Sequence, residues 1–190
     1  MSSGFYKFAI GLARGWRAVC HPLDLQGKEH LNVQGGALLV CNHISMRDPV
    51  IQACLCPRPL RFMGKKELFG NQLLAKLFTA LGGISVDRGN SDVASMRECL
   101  SALKKGDVLS IFPQGHRYPN DDNRDVKDGA AFLALYARVP VIPMHIEPPY
   151  RLFRKTKVRV GAPLDLSDVQ GLDQAAVAEV SRRIGKGIWG

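Results

Sequence analysis

Three stretches of this chain are almost wholly apolar: residues 38–41 without a break, 108–112 with Ser110 alone as an exception, and 140–146 with His145 alone as an exception. A strand with one face in water alternates polar and apolar residues, so near-continuous runs of this length belong to strands covered on both faces. Segments with helical spacing lie between them. Val93, Met96, Leu100 and Leu103 form one apolar stripe, closed by Lys104-Lys105-Gly106, and Asn90 or Ser91 is placed to cap that helix. Further helices are predicted over 49–55, 68–81, 129–138 and 174–184, and further strands over 60–64, 83–86 and, at a sheet edge, 157–161. Repeated strand–helix units predict an α/β fold: one domain over residues 1–190, with a central, mostly parallel or mixed sheet flanked by helices. Residues 118–127, with Pro119-Asn120-Asp121-Asp122, read as an exposed loop.

An N-terminal amphipathic helix precedes the sheet. Phe5, Phe8, Ala9, Leu12, Trp16 and Val19 repeat at helical spacing, with Lys7, Arg14 and Arg17 on the other side. Two readings stand for residues 1–20. One is a helix lying in a membrane interface with its cations near lipid phosphates, and the other is a surface helix packed on its own core. No run of 18 apolar residues is present, and the first residues lack the pattern of a signal peptide.

The formal charge of +9 and pI of about 9.6 imply anionic partners, whether nucleic acid, anionic lipid or phosphorylated substrate. The cations are dispersed and no nucleic-acid-binding motif stands out, so no nucleic acid is expected. Five cysteines (20, 41, 54, 56 and 99) are an odd count at irregular spacing. They match no metal site and read as reduced thiols, partly in the core, in a cytoplasmic protein.

The chemistry concentrates where the first apolar run ends, at Cys41-Asn42-His43-Ile44-Ser45-Met46-Arg47-Asp48-Pro49. Asp48 before Pro49 suits a helix N-cap. A histidine five residues upstream of that aspartate makes a general base with an orienting carboxylate, able to take a proton from a hydroxyl. Alone, the pair is also compatible with a core histidine near a helix cap. Ser45 has no Gly-x-Ser-x-Gly elbow around it, and Cys41 lies inside the apolar strand, so a covalent intermediate on either is the lesser reading. Asn42 is placed either to orient the turn or to lie near a developing oxyanion.

Three further segments follow in order: Gly82-Gly83-Ile84-Ser85-Val86-Asp87-Arg88, Ile111-Phe112-Pro113-Gln114-Gly115-His116-Arg117 and Val139-Pro140-Val141-Ile142-Pro143. With Asn42-His43-x-Ser45-x-x-Asp48, their order and spacing resemble the four sequence blocks of the glycerolipid acyltransferases, in particular the 1-acylglycerol-3-phosphate acyltransferases. The resemblance runs from about Phe5 to about Leu166, with Lys65-Lys66-Glu67-Leu68 as further matching text. It implies transfer of a fatty acyl group from an acyl carrier protein or coenzyme A thioester to the free hydroxyl of 1-acylglycerol 3-phosphate. It assigns His43 and Asp48 to the catalytic pair, and it has Arg88 and Arg117 hold the acceptor's phosphate.

Both arginines follow strands expected to end at one sheet edge, where open α/β sheets bind ligands, and Lys65 is a candidate third cation. The resemblance also implies that Gln114 and Gly115 belong to an acceptor-site loop. The departure from the family pattern is here, because the usual Pro-Glu-Gly-Thr/Ser-Arg becomes Pro113-Gln114-Gly115-His116-Arg117. His116 fills the loop or meets phosphate when protonated. His21, His30 and His145 have no motif around them and read as structural. Neither a metal nor a bound cofactor is expected beyond the thioester co-substrate. The expected partners are a lysophospholipid, the acyl donor and an anionic membrane surface, met peripherally on its cytosolic face. Rival readings are a glycerol-3-phosphate or other lysolipid acyltransferase, and a catalytically weak lipid-binding membrane tether.

Overall fold

The computed structural model describes residues 3–86 and 93–190. Seven strands form one sheet: β1 (Leu23–Gln26), β2 (Ala37–Cys41), β3 (Leu60–Lys65), β4 (Gly83–Val86), β5 (Val108–Ile111), β6 (Val141–Ile146) and β7 (Thr156–Val160). Their spatial order is β1-β7-β6-β2-β5-β3-β4. From β6 to β4 all neighbours are parallel, β7 runs antiparallel to β6, and β1 is parallel to β7. The expected α/β sheet is therefore mixed, with a parallel centre.

The middle strand explains the first apolar run, because all five residues of β2 are buried. Ala37, Leu39 and Cys41 pack on one side with Ile51, Leu60, Ile142 and Met144. Leu38 and Val40 pack on the other with Leu109, Ile111, Leu133 and Ile184. The first side is covered by α1 (Ser3–Cys20) and α2 (Asp48–Leu55), and the second by α4 (Val93–Lys104), α5 (Asp128–Ala137) and α6 (Gln174–Trp189). At about 25 cal/mol per Å2 of apolar surface, each fully buried Leu or Ile here contributes roughly 2 kcal/mol.

The structure departs from the sequence reading in four places. The helix predicted over 68–81 is broken: Lys66–Phe69 is a 3-10 turn and α3 (Gln72–Ala80) starts afresh after Gly70. Asn71 marks the restart, its side-chain oxygen accepting from Leu73 N at 2.9 Å. Strand β7 is not the sheet edge, because β1 pairs outside it. Asp48 does not cap α2, since its carboxylate turns back to the preceding loop. Finally, residues 118–127 are not simply a solvated loop. Asp121 is nearly buried and accepts from Asn42 Nδ2 at 3.1 Å, pairs with His145 Nε2 at 2.7 Å and accepts from Trp189 Nε1 at 3.0 Å. It ties the loop to β2, β6 and the end of α6. Asn90 and Ser91 lie outside the described residues.

Helix α1 settles which residues face the core. Tyr6 and Ile10 point inward, and the Tyr6 hydroxyl accepts from Leu60 N at 3.0 Å. One and two turns further on the same face, Arg14 donates from Nε to Cys54 O at 3.0 Å, at the carbonyl end of α2, where a cation is favoured. Arg14 is thus turned to the protein rather than toward lipid phosphates. The stripe read from the sequence lies outside: Phe8 is 66% exposed and Leu12 63%, with Phe5, Trp16 and Val19 also exposed. No helix among the described residues is long and apolar enough to cross a membrane.

Candidate active site

Parallel β2, β3, β4 and β5 all end at one edge of the sheet, so whatever follows each strand converges there. His43 stands two residues beyond β2. Its Nδ1 lies 2.7 Å from Asp48 Oδ2. The same oxygen accepts from Ile44 N and Ser45 N, both at 2.8 Å, so the carboxylate is held by two backbone N–H groups before it meets the ring. Asp48 is fully buried. A buried carboxylate is tolerable when each oxygen is hydrogen-bonded, and Oδ1 accepts from the Tyr150 hydroxyl at 2.7 Å. Burial, with the Asp48 charge beside it, pushes the Tyr150 phenol far above its ordinary value, so it remains a donor at any usable pH.

The His43 ring stacks on Phe112, with centroids 4.0 Å apart and planes 17° apart. With Nδ1 on Asp48 and the face on Phe112, the ring has one orientation. Nε2 makes no hydrogen bond among the described residues, and His43 lines a cavity of about 770 Å3. That volume lies within the range of small-molecule sites. The cavity walls are mostly apolar, with Ile10 from α1, Ala53 from α2, Phe62 and Met63 from β3, and Phe69 and Phe78 beyond it. Lys65, His116 and Arg117 bring polar groups to the same cavity.

The other predicted residues divide. Arg117 is exposed at the cavity, as is His116. Lys65 lines it too, but its ammonium is paired with Glu67 Oε1 at 2.9 Å. Arg88 lies outside the described residues. Gln114 is buried and turned away from the cavity: its Oε1 accepts from His43 N at 2.7 Å, and its Nε2 donates to Asn123 O. It holds the His43 turn rather than facing a ligand, and Gly115 likewise does not line the cavity. Gly115 is at φ 76, in the left-handed region where a side chain is strained, so the turn itself favours glycine.

Asn42 also orients the turn. Its side chain exchanges two hydrogen bonds with the Ile146 backbone, at 2.9 and 2.8 Å, and a third goes to Asp121. Burial pushes the Cys41 thiol well up, which leaves it un-ionised and inert. The Ser45 hydroxyl is engaged by Arg47 N at 3.3 Å.

Sequence reasoning missed Tyr150 and Phe112 as partners of the pair. Phe112 stands inside a motif already singled out. Tyr150 is 102 residues from Asp48, with only Pro148-Pro149 before it to hint at a fixed backbone.

A histidine held by a buried carboxylate, with its second nitrogen making no hydrogen bond among the described residues and its ring lining an apolar cavity, is an arrangement that can take a proton from a hydroxyl. The chain belongs to the Acyltransferase family, whose model matches residues 22–147. It is 32% identical over 154 residues to the 1-acyl-sn-glycerol-3-phosphate acyltransferase of Streptococcus pneumoniae, an alignment covering 77% of this chain and 57% of that protein. It is 28% identical over 169 residues to the enzyme of the same name from Bacillus subtilis, covering 86% of this chain and 84% of that one. The chain therefore spans little more than half the length of the first relative and most of the second. Among solved structures it resembles the 1-acyl-sn-glycerophosphate (LPA) acyltransferase PlsC from Thermotoga maritima. The TM-score is 0.69 at 21% identity, over all of this chain and 86% of that one, and this likeness speaks for the fold.

Proposed function

We propose that this chain moves a fatty acyl group from a coenzyme A or acyl carrier protein thioester to the free hydroxyl of 1-acylglycerol 3-phosphate, giving phosphatidic acid. The observation that carries this reading is His43 Nδ1 on buried Asp48, with Nε2 unengaged at an apolar cavity. The names of the relatives support the acceptor.

In the proposed mechanism His43 Nε2 takes the proton from the acceptor hydroxyl as its oxygen bonds to the thioester carbonyl carbon. Asp48 stabilises the imidazolium that forms. The tetrahedral adduct then breaks its carbon–sulfur bond, and the thiolate leaves with the proton returned by His43. The thioester is already an activated acyl group, so positioning and proton transfer suffice and no cofactor takes part. The apolar walls suit an acyl chain, and Arg117, with Lys65 after release from Glu67, suits the phosphate. Arg88 joins them on the family resemblance alone. The outward apolar face of α1 supports peripheral binding, proposed for the cytosolic face of a membrane, with Phe8 and Leu12 in the interface.

The test is transfer of a radiolabelled acyl group from each donor to a panel containing 1-acylglycerol 3-phosphate, glycerol 3-phosphate and neutral lysolipids. His43→Ala is expected to fold normally and lose about a hundredfold to ten-thousandfold in turnover. Near-parent turnover in that variant would end the mechanism. A preference for glycerol 3-phosphate would reassign the acceptor, and no transfer by the parent would favour a lipid-binding tether.

A further inference from the structure

Between β6 and β7 the chain leaves the sheet for a loop whose tip is apolar. Leu152 and Phe153, adjacent in sequence, are 59% and 70% exposed. Phe153 also sits at φ 59, in the left-handed region that a bulky side chain seldom enters. Exposure and backbone strain are both unfavourable in water, and neither serves the core.

The tip has a defined place. Phe153 N donates to the carbonyl of Cys20, the last residue of α1, at 2.9 Å. It therefore lies against the end of the helix whose outward face carries Trp16 and Val19. Its charged residues are of one sign. Arg151, Arg154 and Lys155 are all exposed, and no acidic residue occurs from 148 to 156. Glu147, just before, is engaged by Lys157 at 3.6 Å.

We propose that this loop is a second lipid-contact element: Leu152 and Phe153 enter an anionic bilayer surface while Arg151, Arg154 and Lys155 meet its phosphates. The proposal rests on the lipid-acylating reading and extends the interface made by α1. One helix lying in an interface leaves the body free to roll about the helix axis, and a second contact at its end removes that freedom. An acidic protein surface would satisfy the three cations but not the bare Leu–Phe tip; an anionic bilayer satisfies both. The loop also reaches the site, because Tyr150 beside it donates to Asp48. A loop held by lipid therefore helps hold the hydroxyl that positions the catalytic carboxylate.

The test compares the parent with a Leu152→Ser/Phe153→Ser variant and, in α1, a Phe8→Ser/Leu12→Ser variant. Co-sedimentation is measured with vesicles of phosphatidylcholine alone and with phosphatidylglycerol added, and circular dichroism checks the fold. The loop variant is expected to bind about tenfold more weakly or worse, by loss of apolar insertion. Its turnover should fall on vesicle-borne acceptor and stay at the parent's value on a short-chain acceptor dispersed as monomers. A third variant, Arg151→Gln/Arg154→Gln/Lys155→Gln, is expected to lose binding on anionic vesicles alone, and it decides the matter if the first variant misfolds.

A loop variant that binds as the parent does, while the α1 variant is released, overturns the proposal and leaves the α1 interface standing. Parent-like binding by both overturns the interface as well. Parent-like vesicle binding with a raised KM for an acyl carrier protein donor overturns it in favour of a protein dock.

Discussion

Asp48→Asn isolates what the carboxylate's charge does, because the structure dictates how a carboxamide must sit there. Oδ2 of Asp48 faces three donors: His43 Nδ1 and the N–H groups of Ile44 and Ser45. An NH2 group in that place would set donors against two backbone donors. The carboxamide oxygen must take it, leaving the NH2 toward Tyr150, whose hydroxyl can rotate to accept. The imidazole then keeps a proton on Nδ1 and a basic Nε2, so the tautomer survives and only the charge is lost.

Exchanging a charged for a neutral hydrogen bond to the imidazolium costs about 1–2 kcal/mol, a lower limit. Full loss of a unit charge about 4 Å away in a medium of effective dielectric 20 costs about 4 kcal/mol, an upper limit. At about 1.4 kcal/mol per decade, turnover should fall between roughly fivefold and a thousandfold, with the melting temperature little changed. Asp48→Ala is the control, since it orphans two buried N–H groups at about 1–3 kcal/mol each and should melt earlier. The assay is single-substrate kinetics of radiolabelled transfer beside thermal unfolding by circular dichroism. A loss near ten-thousandfold, the scale seen when a carboxamide presents its NH2 to an imidazole, would refute the argument that the backbone locks the oxygen. A loss under about threefold would refute any role for the charge.

Arg117→Ala should raise KM for the phosphorylated acceptor about tenfold to a hundredfold, the worth of charged hydrogen bonds, and leave donor kinetics unchanged; a selective donor defect would reassign it. His21 is buried against Trp16 and Tyr150, and burial, with the Arg47 charge nearby, lowers its pKa below the ordinary 6.5. The unfolded chain then binds the extra proton first, so this group's contribution is fully present above about pH 6.5 and is lost as pH falls toward the depressed folded value, by at most about 1.4 kcal/mol per unit. Urea unfolding of His21→Phe across pH 7.5 to 5 should show a shallower slope than the parent, and parallel slopes would contradict the assignment.

What the sequence carried and what it hid follow from burial. Strands β2, β5 and β6 announce themselves because each is covered on both faces and is apolar but for one hydrogen-bonded residue in β5, Ser110, and one in β6, His145. Strand β1, four residues of alternating exposure at the sheet edge, has no such signature. The pattern of 68–81 covers a 3-10 turn before Gly70 and a helix after it, and the apolar period carries no sign of the break between them. Likewise α1 reads as one apolar face opposite one basic face. The fold instead turns Tyr6, Ile10 and Arg14 inward together, because α2 ends where Arg14 can reach its carbonyls. His43 and Asp48 are legible because five residues of local chain bring them together. Tyr150 is not, because the loop after β6 brings it to Asp48 only through the pairing of β6 with β2, which leaves no local mark.

Gln114 gives the loop a particular constraint. It accepts from the backbone of His43 on one side and donates to the carbonyl of Asn123 on the other. A carboxamide is two-handed in this way, and an ionised carboxylate offers acceptors alone. A glutamate at this position, as in the related motif, would turn a lone pair on the Asn123 carbonyl and drive the two strands of the loop apart. Residue 114 and the path of the chain at 123 are thus one choice, so a graft of the family's usual loop sequence onto this scaffold would have to carry both or neither.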